Sequence, residues 1–160
     1  MDVGGGDSRL VDHLVARGLS CVTVLDISPA ALTRAQARLG PAGAHVTWME
    51  ADVTADWSVP TVDMWHDRAV FHFLTTAEDR SRYLAHLRET LKPDGTAILA
   101  TFALDGPERC SGLLVARYSP ERLAAALGDE FQLIDAIPHN HHTPSGTVQP
   151  FIYTRFQRIS

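Results

Sequence analysis

The sequence lacks the features that mark several large classes of protein. Only two of its 160 residues are cysteines, Cys21 and Cys110, which is too few for a disulfide framework. No apolar run approaches the length that spans a bilayer, and no charged-then-apolar leader opens the chain. From these absences we expect a cytoplasmic protein that does not engage a membrane.

Positive charge is also scarce. Fourteen lysines and arginines stand against nineteen aspartates and glutamates, which gives a formal net charge of −5, and no basic run stands out. Because nucleic-acid binding usually relies on a basic patch, we expect no nucleic-acid partner. The length, the apolar fraction of 45% and the absence of internal repeats predict a single domain over residues 1–160.

Short apolar runs and amphipathic segments alternate along the chain. The first five apolar runs predict strands that end near Val3, Asp26, Glu50, His66 and Phe102. Ser28-Pro29 and Ser119-Pro120 predict helix starts, and residues 92–95 predict a turn. This alternation predicts an α/β fold with a doubly wound, mostly parallel sheet. The last two predicted strands, 131–137 and 148–156, are separated by about ten residues, which favours an antiparallel last strand.

A glycine cluster stands at the end of the first predicted strand. In sheets of this kind ligands bind outside the carboxyl ends of the strands. Gly4, Gly5 and Gly6 would let the backbone turn sharply there and approach a ligand closely. A dinucleotide site would need glycine or alanine where Arg9 stands, so a nicotinamide enzyme is only the third alternative. An acid followed by two spaced glycines, here with Asp2 as the acid, is typical of S-adenosylmethionine sites.

Two further acids follow at the next two strand ends. Asp26 lies 20 residues after Gly6, the spacing of a carboxylate that accepts hydrogen bonds from ribose hydroxyls. Asp52, after the third strand, is predicted to accept the adenine amino group, with the backbone of Val53 beside it. Some dehydrogenases also carry an acid at this place, so Asp52 alone does not separate the two classes.

Taken together, these motifs resemble class I S-adenosylmethionine-dependent methyltransferases. The resemblance is carried by residues 2–6, 24–28, 50–53 and 91–95 and covers nearly the whole chain. It implies a Rossmann-like, seven-stranded mixed sheet with an antiparallel last strand and S-adenosyl-L-methionine as cofactor. The cofactor-binding residues that it implies are Asp2, Gly4, Gly5, Gly6, Asp26, Ile27, Asp52, Val53 and His66.

The residues of methyl transfer are expected after the fourth strand. Asp67-Arg68-Ala69 resembles the Asp-Arg-Gly or Asp-Lys-Gly element of thiopurine- and tellurite-type methyltransferases, which some small protein-lysine methyltransferases share. We predict His66, Asp67 and Arg68 as catalytic residues. His66 or Asp67 would orient or deprotonate an acceptor, and Arg68 would alternatively pair with Asp67 and hold the loop.

Two other loops are predicted at the same edge of the sheet. Residues 105–112 would cover the acceptor, and Cys110 within them is more simply an ordinary loop cysteine than a nucleophile. His139, His141 and His142 are predicted to lie in a loop between the last two strands. There we expect contact with an acceptor rather than a metal site.

Methyl transfer to a small-molecule nucleophile is the leading hypothesis, since the chain is acidic and carries no inserted recognition domain. A protein-lysine methyltransferase is the enzyme alternative. A non-catalytic or incomplete S-adenosylmethionine-binding domain is the second class of function, because only Met1 precedes Asp2 and the first strand looks truncated. A missing N-terminal segment or a partner chain would then cover the cofactor.

Overall fold

The computed structural model describes residues 1–143 and 145–160 and shows an α/β fold. Its elements, in chain order, are β1 (Asp2–Val3), α1 (Leu10–Ala16), β2 (Val22–Asp26), α2 (Pro29–Leu39), β3 (Val46–Glu50), β4 (Val62–Arg68), α3 (Ala77–Thr90), β5 (Leu91–Phe102), β6 (Arg109–Cys110), β7 (Leu113–Leu114), α4 (Pro120–Leu127), β8 (Phe131–His142) and β9 (Val148–Arg158). Seven strands form a mixed sheet that is parallel except for β9, as predicted. None of the described helices is long and apolar enough to span a membrane.

The first of two compact units, Met1–Trp57, contains three parallel strands in the order β3-β2-β1. Val3 pairs with Leu25, and Asp26 pairs with Glu50, so the carboxyl ends of the three strands lie at one edge. The core of this unit comes from apolar residues of α1, β2 and α2, namely Val11, Val22, Val24 and Leu32. The predicted start of α2 is confirmed, since Ser28 Oγ accepts a hydrogen bond from the Ala31 amide.

Ion pairs join α1 to α2. Arg38 donates to both carboxylate oxygens of Asp12, at 2.9 and 2.8 Å, and to one oxygen of Asp7 at 3.0 Å. Arg34 donates to the other oxygen of Asp7 at 2.8 Å. The two helices that follow β1 and β2 are thus held together by side chains as well as by their apolar faces.

The second unit, Ser58–Ser160, contains four strands in the order β4-β5-β9-β8. The predicted turn at residues 92–95 forms an irregularity at the start of β5. Register passes there from the pair Val62–Leu91 directly to the pair Met64–Thr96. Asp94 adopts a left-handed backbone with φ of +62°. The predicted helix start at Ser119 is also confirmed, since its Oγ accepts from the Arg122 amide.

Parts of three segments that were predicted to be loops are strands: residues 67–68 belong to β4, residues 109–110 form β6, and the histidine segment belongs to β8. β4 continues through Asp67 to Arg68, which pairs with Ala100 of β5. β8 continues to His142, because its last residues pair with those that begin β9. The prediction of a histidine loop was therefore wrong. Since side chains alternate along a strand, His139 and His141 share one face of the sheet and His142 lies on the other.

Candidate active site

The glycine loop of the first unit is anchored to the end of β2. The amides of Gly4 and Gly5 both donate to the carbonyl of Leu25, at 2.7 and 3.2 Å, and the Ser8 amide donates to the Gly5 carbonyl at 2.8 Å. Gly4 has a φ of +67°, a conformation that side chains with a Cβ rarely adopt. The loop is therefore a fixed turn between β1 and the start of α1.

The same loop lies directly against two carboxylates. A Cβ at Gly5 would stand 2.6 Å from Oδ2 of Asp2, and a Cβ at Gly6 would stand 2.7 Å from Oδ2 of Asp26. Both distances are shorter than real Cβ contacts, so a side chain at either position would force the neighbouring carboxylate to move. The loop backbone and the two acids are thus packed together, and we call this arrangement the cradle. It contains four of the residues that the sequence predicts to bind the cofactor, namely Asp2, Gly5, Gly6 and Asp26.

Asp26 has one carboxylate oxygen held by the protein and one that remains available. Oδ1 accepts the Ser28 amide at 2.8 Å, whereas Oδ2 borders Gly6 and accepts no hydrogen bond from the described residues. The Ser28 amide thus orients the half-buried carboxylate, which can still accept two hydroxyl donors of a ligand. Ile27 beside it is 67% exposed and adds an apolar surface at the same strand end.

Asp52 and Val53 stand at the end of β3 in the same unit. The Ala51 amide donates to the Asp26 carbonyl at 3.1 Å, which keeps the ends of β2 and β3 together. Oδ1 of Asp52 accepts both the amide and the hydroxyl of Thr54, at 2.8 and 2.7 Å. The Asp52 side chain is exposed, whereas Val53 is buried. Asp52 is therefore fixed by its own loop with its second oxygen toward solvent or a ligand.

The predicted catalytic residues lie at the end of β4 in the second unit. Asp67 is fully buried, and its carboxylate accepts the amides of Val70 and Phe71 at 2.9 and 3.0 Å. It also accepts the Tyr83 hydroxyl at 2.7 Å, and that hydroxyl accepts Nε1 of Trp65 at 2.8 Å. Burial raises the pKa of Asp67 to about 6. The carboxylate therefore holds the turn after β4 in place from inside the protein.

Arg68 does not pair with Asp67, and that alternative was wrong. Alternation along β4 puts Arg68 and His66 on one face of the sheet and Asp67 on the other. Arg68 is exposed and donates from Nε to Tyr153 Oη at 3.0 Å, and Nη2 lies 3.4 Å from His141 Nδ1. His66 is half-buried on the same face.

Sequence reasoning missed Tyr83 and Tyr153 as partners of the site. Both are ordinary members of amphipathic or alternating patterns, and they lie 16 and 85 positions from Asp67 and Arg68. Cys110 lies in the β6–β7 hairpin and packs against the cluster of Ala100, Phe102 and Phe151. Among residues 1–143 and 145–160, no group of three histidine, cysteine or acidic side chains is arranged for a metal ion.

Comparison with known proteins identifies the family. A family model described as a methyltransferase domain matches residues 1–95, more than half of the chain. No curated protein sequence matches this chain. Many solved structures share its fold at low sequence identity.

Three of these structures illustrate the likeness. The Burkholderia thailandensis 1,6-didemethyltoxoflavin-N1-methyltransferase, with bound 1,6-didemethyltoxoflavin and S-adenosylhomocysteine, has a TM-score of 0.79 at 21% identity, over 99% of this chain and 70% of that one. The N-methyltransferase NodS from Bradyrhizobium japonicum WM9, in complex with S-adenosyl-L-homocysteine, has a TM-score of 0.79 at 17% identity, over 99% and 76%. A SAM-dependent methyltransferase from Methanosarcina mazei has a TM-score of 0.79 at 16% identity, over 99% and 91%.

The chain belongs to the methyltransferase domain family. The sequence motifs, the seven-stranded sheet with its antiparallel last strand and the family match agree on its class. It is an S-adenosylmethionine-dependent methyltransferase.

Proposed function

We propose that residues 1–160 act as one domain that transfers a methyl group from S-adenosylmethionine to a small-molecule nucleophile. The observation that carries this proposal is the cradle formed by Gly5 and Gly6 against the carboxylates of Asp2 and Asp26. The acidic net charge favours a small acceptor over nucleic acid. The structural neighbour with bound 1,6-didemethyltoxoflavin, a small molecule, supports the same choice.

The first unit would hold the cofactor. The loop of residues 4–6, with Asp2 behind it, would receive the amino-acid part, and the oriented carboxylate of Asp26 would accept the ribose hydroxyls. The exposed apolar side chain of Ile27 would pack against the nucleoside. A side chain at Gly5 or Gly6 would displace one of these two carboxylates from its position.

The adenine end of the cofactor would lie at the end of β3. The fixed carboxylate of Asp52 would accept the adenine amino group, and the backbone of Val53 would contact the ring edge. His66 on β4 stays a predicted cofactor-binding residue. When bound, the cofactor supplies an activated methyl group on a sulfonium, so the protein acts chiefly by positioning.

In the second unit, His66 and Arg68 would face the acceptor and Asp67 would position them. His66 would accept a proton if the acceptor arrives protonated. Asp67 receives three hydrogen bonds from protein groups, so we assign it the role of fixing the turn after β4 rather than contact with the acceptor.

Calorimetric titration with S-adenosylmethionine tests the cofactor site. Asp26→Asn keeps the shape of the side chain and removes its charge, and we expect at least tenfold weaker binding, about 1.4 kcal/mol. Asp63→Asn removes an exposed carboxylate that pairs with Lys92, and it serves as the matched control. Equal affinity of Asp26→Asn and the wild type would contradict the assigned site.

Labelled cofactor tests the acceptor class. The wild-type protein is incubated with small thiols and metalloids in one set of reactions and with protein extracts in another. We expect transfer to small molecules alone. Label that enters only protein would support lysine methylation instead, and binding of cofactor without transfer in any reaction would support a non-catalytic domain.

A further inference from the structure

The second unit carries a group of side chains that no part of the proposed cofactor site uses. Arg68 at the end of β4 donates to Tyr153 on β9 and to His141 on β8, and its guanidinium carbon lies 5.5 Å from the centre of the Phe151 ring. Arg68, His141, Phe151 and Tyr153 are called the Arg68 cluster below.

A small residue between the strands lets these side chains meet. Arg68 pairs with Ala100 on β5, and Ala100 pairs in turn with Tyr153 on β9. Paired residues share a face of the sheet, and the methyl group of Ala100 is fully buried between the two longer side chains. The guanidinium therefore extends across β5 and is fixed on three sides, by a hydroxyl, an imidazole and an aromatic ring.

The positive charge of the Arg68 cluster has no carboxylate partner within the described residues. The nearest acid in sequence, Asp67, points to the opposite face and is buried. The two hydrogen bonds to Tyr153 and His141 occupy only part of the five N–H groups of the guanidinium. A rigid guanidinium with free N–H groups is the side chain best suited to bind a carboxylate or phosphate through paired hydrogen bonds.

The partners of Arg68 also present donors outward. Arginine cannot accept a hydrogen bond, so Nδ1 of His141 must be the acceptor of this contact and the ring hydrogen must be on Nε2. Burial and then the charge of Arg68 lower the pKa of His141, which keeps the ring neutral near pH 7. Tyr153 Oη accepts from Arg68 and retains its own O–H as a donor. Arg68, Tyr153 and His141 thus each keep at least one N–H or O–H group that is available to a ligand.

From this set of donors we propose that Arg68, Tyr153 and His141 bind an oxyanion, the carboxylate or phosphate group of the methyl acceptor. Arg68 stands at the carboxyl end of β4, the edge at which ligands bind in such sheets. This assignment rests on the proposed function for the identity of the ligand as an acceptor. The anion site itself depends only on the four side chains of the cluster.

Anion titration without cofactor tests the site separately from methyl transfer. Benzoate and inorganic phosphate are added at constant ionic strength, and the ring resonances of His141 are followed by NMR. We expect saturable shifts with one or both anions in the wild-type protein. Arg68→Gln and Tyr153→Phe should each weaken this binding, Arg68→Gln by at least tenfold.

Arg155→Gln is the matched control. It removes one positive charge from an exposed arginine of the same strand as Tyr153, so a loss of general electrostatic attraction would appear equally in both arginine variants. Retained binding in Arg155→Gln with loss in Arg68→Gln supports the proposal. Equal loss in both variants, or no saturable shift with either anion, overturns it.

A second measurement checks that Arg68→Gln acts through the cluster rather than through misfolding. Removal of the guanidinium removes a charge that lowers the pKa of His141, so the NMR titration of this ring should move to higher pH in the variant. An unchanged His141 titration in a folded Arg68→Gln protein would contradict the contact. Failure of S-adenosylmethionine to bind the wild type would undo the proposed function and leave these anion results intact.

Discussion

Replacement of His72 by phenylalanine should change how the stability of this protein depends on pH. His72 is fully buried, with the rings of Phe73 and Phe102 each 4.7 Å away between centres. Nδ1 accepts the Phe102 amide at 3.4 Å, and Nε2 has no hydrogen-bond partner among the described residues. Burial lowers the pKa of His72 to about 4 from an ordinary value of 6.5.

The magnitude follows from the two pKa values of His72. Between pH 6.5 and 4 the unfolded chain binds a proton that the folded chain excludes, so the free energy of unfolding decreases as the pH falls. The gap between 6.5 and about 4 corresponds to a loss of about 3 kcal/mol by pH 4. Phenylalanine does not titrate, so this loss should disappear in the variant.

Asp67 acts in the opposite direction over nearly the same range. Its folded pKa of about 6 exceeds the ordinary value of 3.8, so between these values the folded chain keeps a proton that the unfolded chain releases. Its contribution therefore raises stability by about 3 kcal/mol as the pH falls from 6 to 4. In the wild type the contributions of His72 and Asp67 to the pH dependence of stability nearly cancel. The acids with lowered pKa values, such as Asp7, Asp12 and Asp63, titrate below this window.

Urea unfolding followed by tryptophan fluorescence, at several pH values from 4 to 7, measures these slopes. As the pH falls from 7 to 4, the free energy of unfolding of His72→Phe should rise by about 3 kcal/mol relative to that of the wild type. The free energy of unfolding of Asp67→Asn should fall by about 3 kcal/mol relative to that of the wild type. His72→Phe also removes the acceptor of the Phe102 amide. The loss of this hydrogen bond lowers the stability of the variant by the same amount at every pH. His13→Gln, which replaces an exposed histidine, is the matched control. A His72→Phe curve parallel to the wild type would refute the argument.

Three further substitutions test other contacts. Gly5→Ala would place a methyl group 2.6 Å from a buried carboxylate oxygen, so calorimetry should show at least tenfold weaker cofactor binding. Gly18→Ala meets no atom within 4 Å but strains a backbone with φ of +82°, so this control should lose some stability and still bind the cofactor normally. Tyr83→Phe removes the hydroxyl that donates to Asp67, and urea unfolding should show a loss of about 1–3 kcal/mol. Arg38→Gln breaks the ion pairs between α1 and α2, and the loss of about 1 kcal/mol should shrink in high salt.

The strand ends and the glycine loop could be predicted from sequence because their signals are local. The apolar run of β2 ends at Asp26, and the glycines that turn the chain after β1 are adjacent residues. Their constraints are also local, since Gly4 needs a left-handed backbone and Gly5 needs the absence of a Cβ. Residues 92–95 were predicted to be a turn for the same reason, since proline and glycine interrupt regular structure, but the structure includes them in β5 as an irregularity.

The far end of β8 could not be predicted in this way. A polar segment with three histidines has the composition of a loop, and nothing within it indicates a strand. The segment is extended because β9 provides hydrogen-bond partners along its whole length, from Phe131 to His142. Cross-strand pairing outweighs local composition here, and only the tertiary structure contains that information.

The sequence by itself thus determined the class of protein, the alternation of its main strands and helices, and the glycine loop after β1. Hydrophobic period and short motif spacing are properties of neighbouring residues. The tertiary structure decided what the residues after β4 do. Adjacent side chains of β4 lie on opposite faces of the sheet. Asp67 therefore forms a hydrogen bond with Tyr83, whereas Arg68 forms one with Tyr153. Partners separated by 16 and 85 positions meet only when the sheet is assembled.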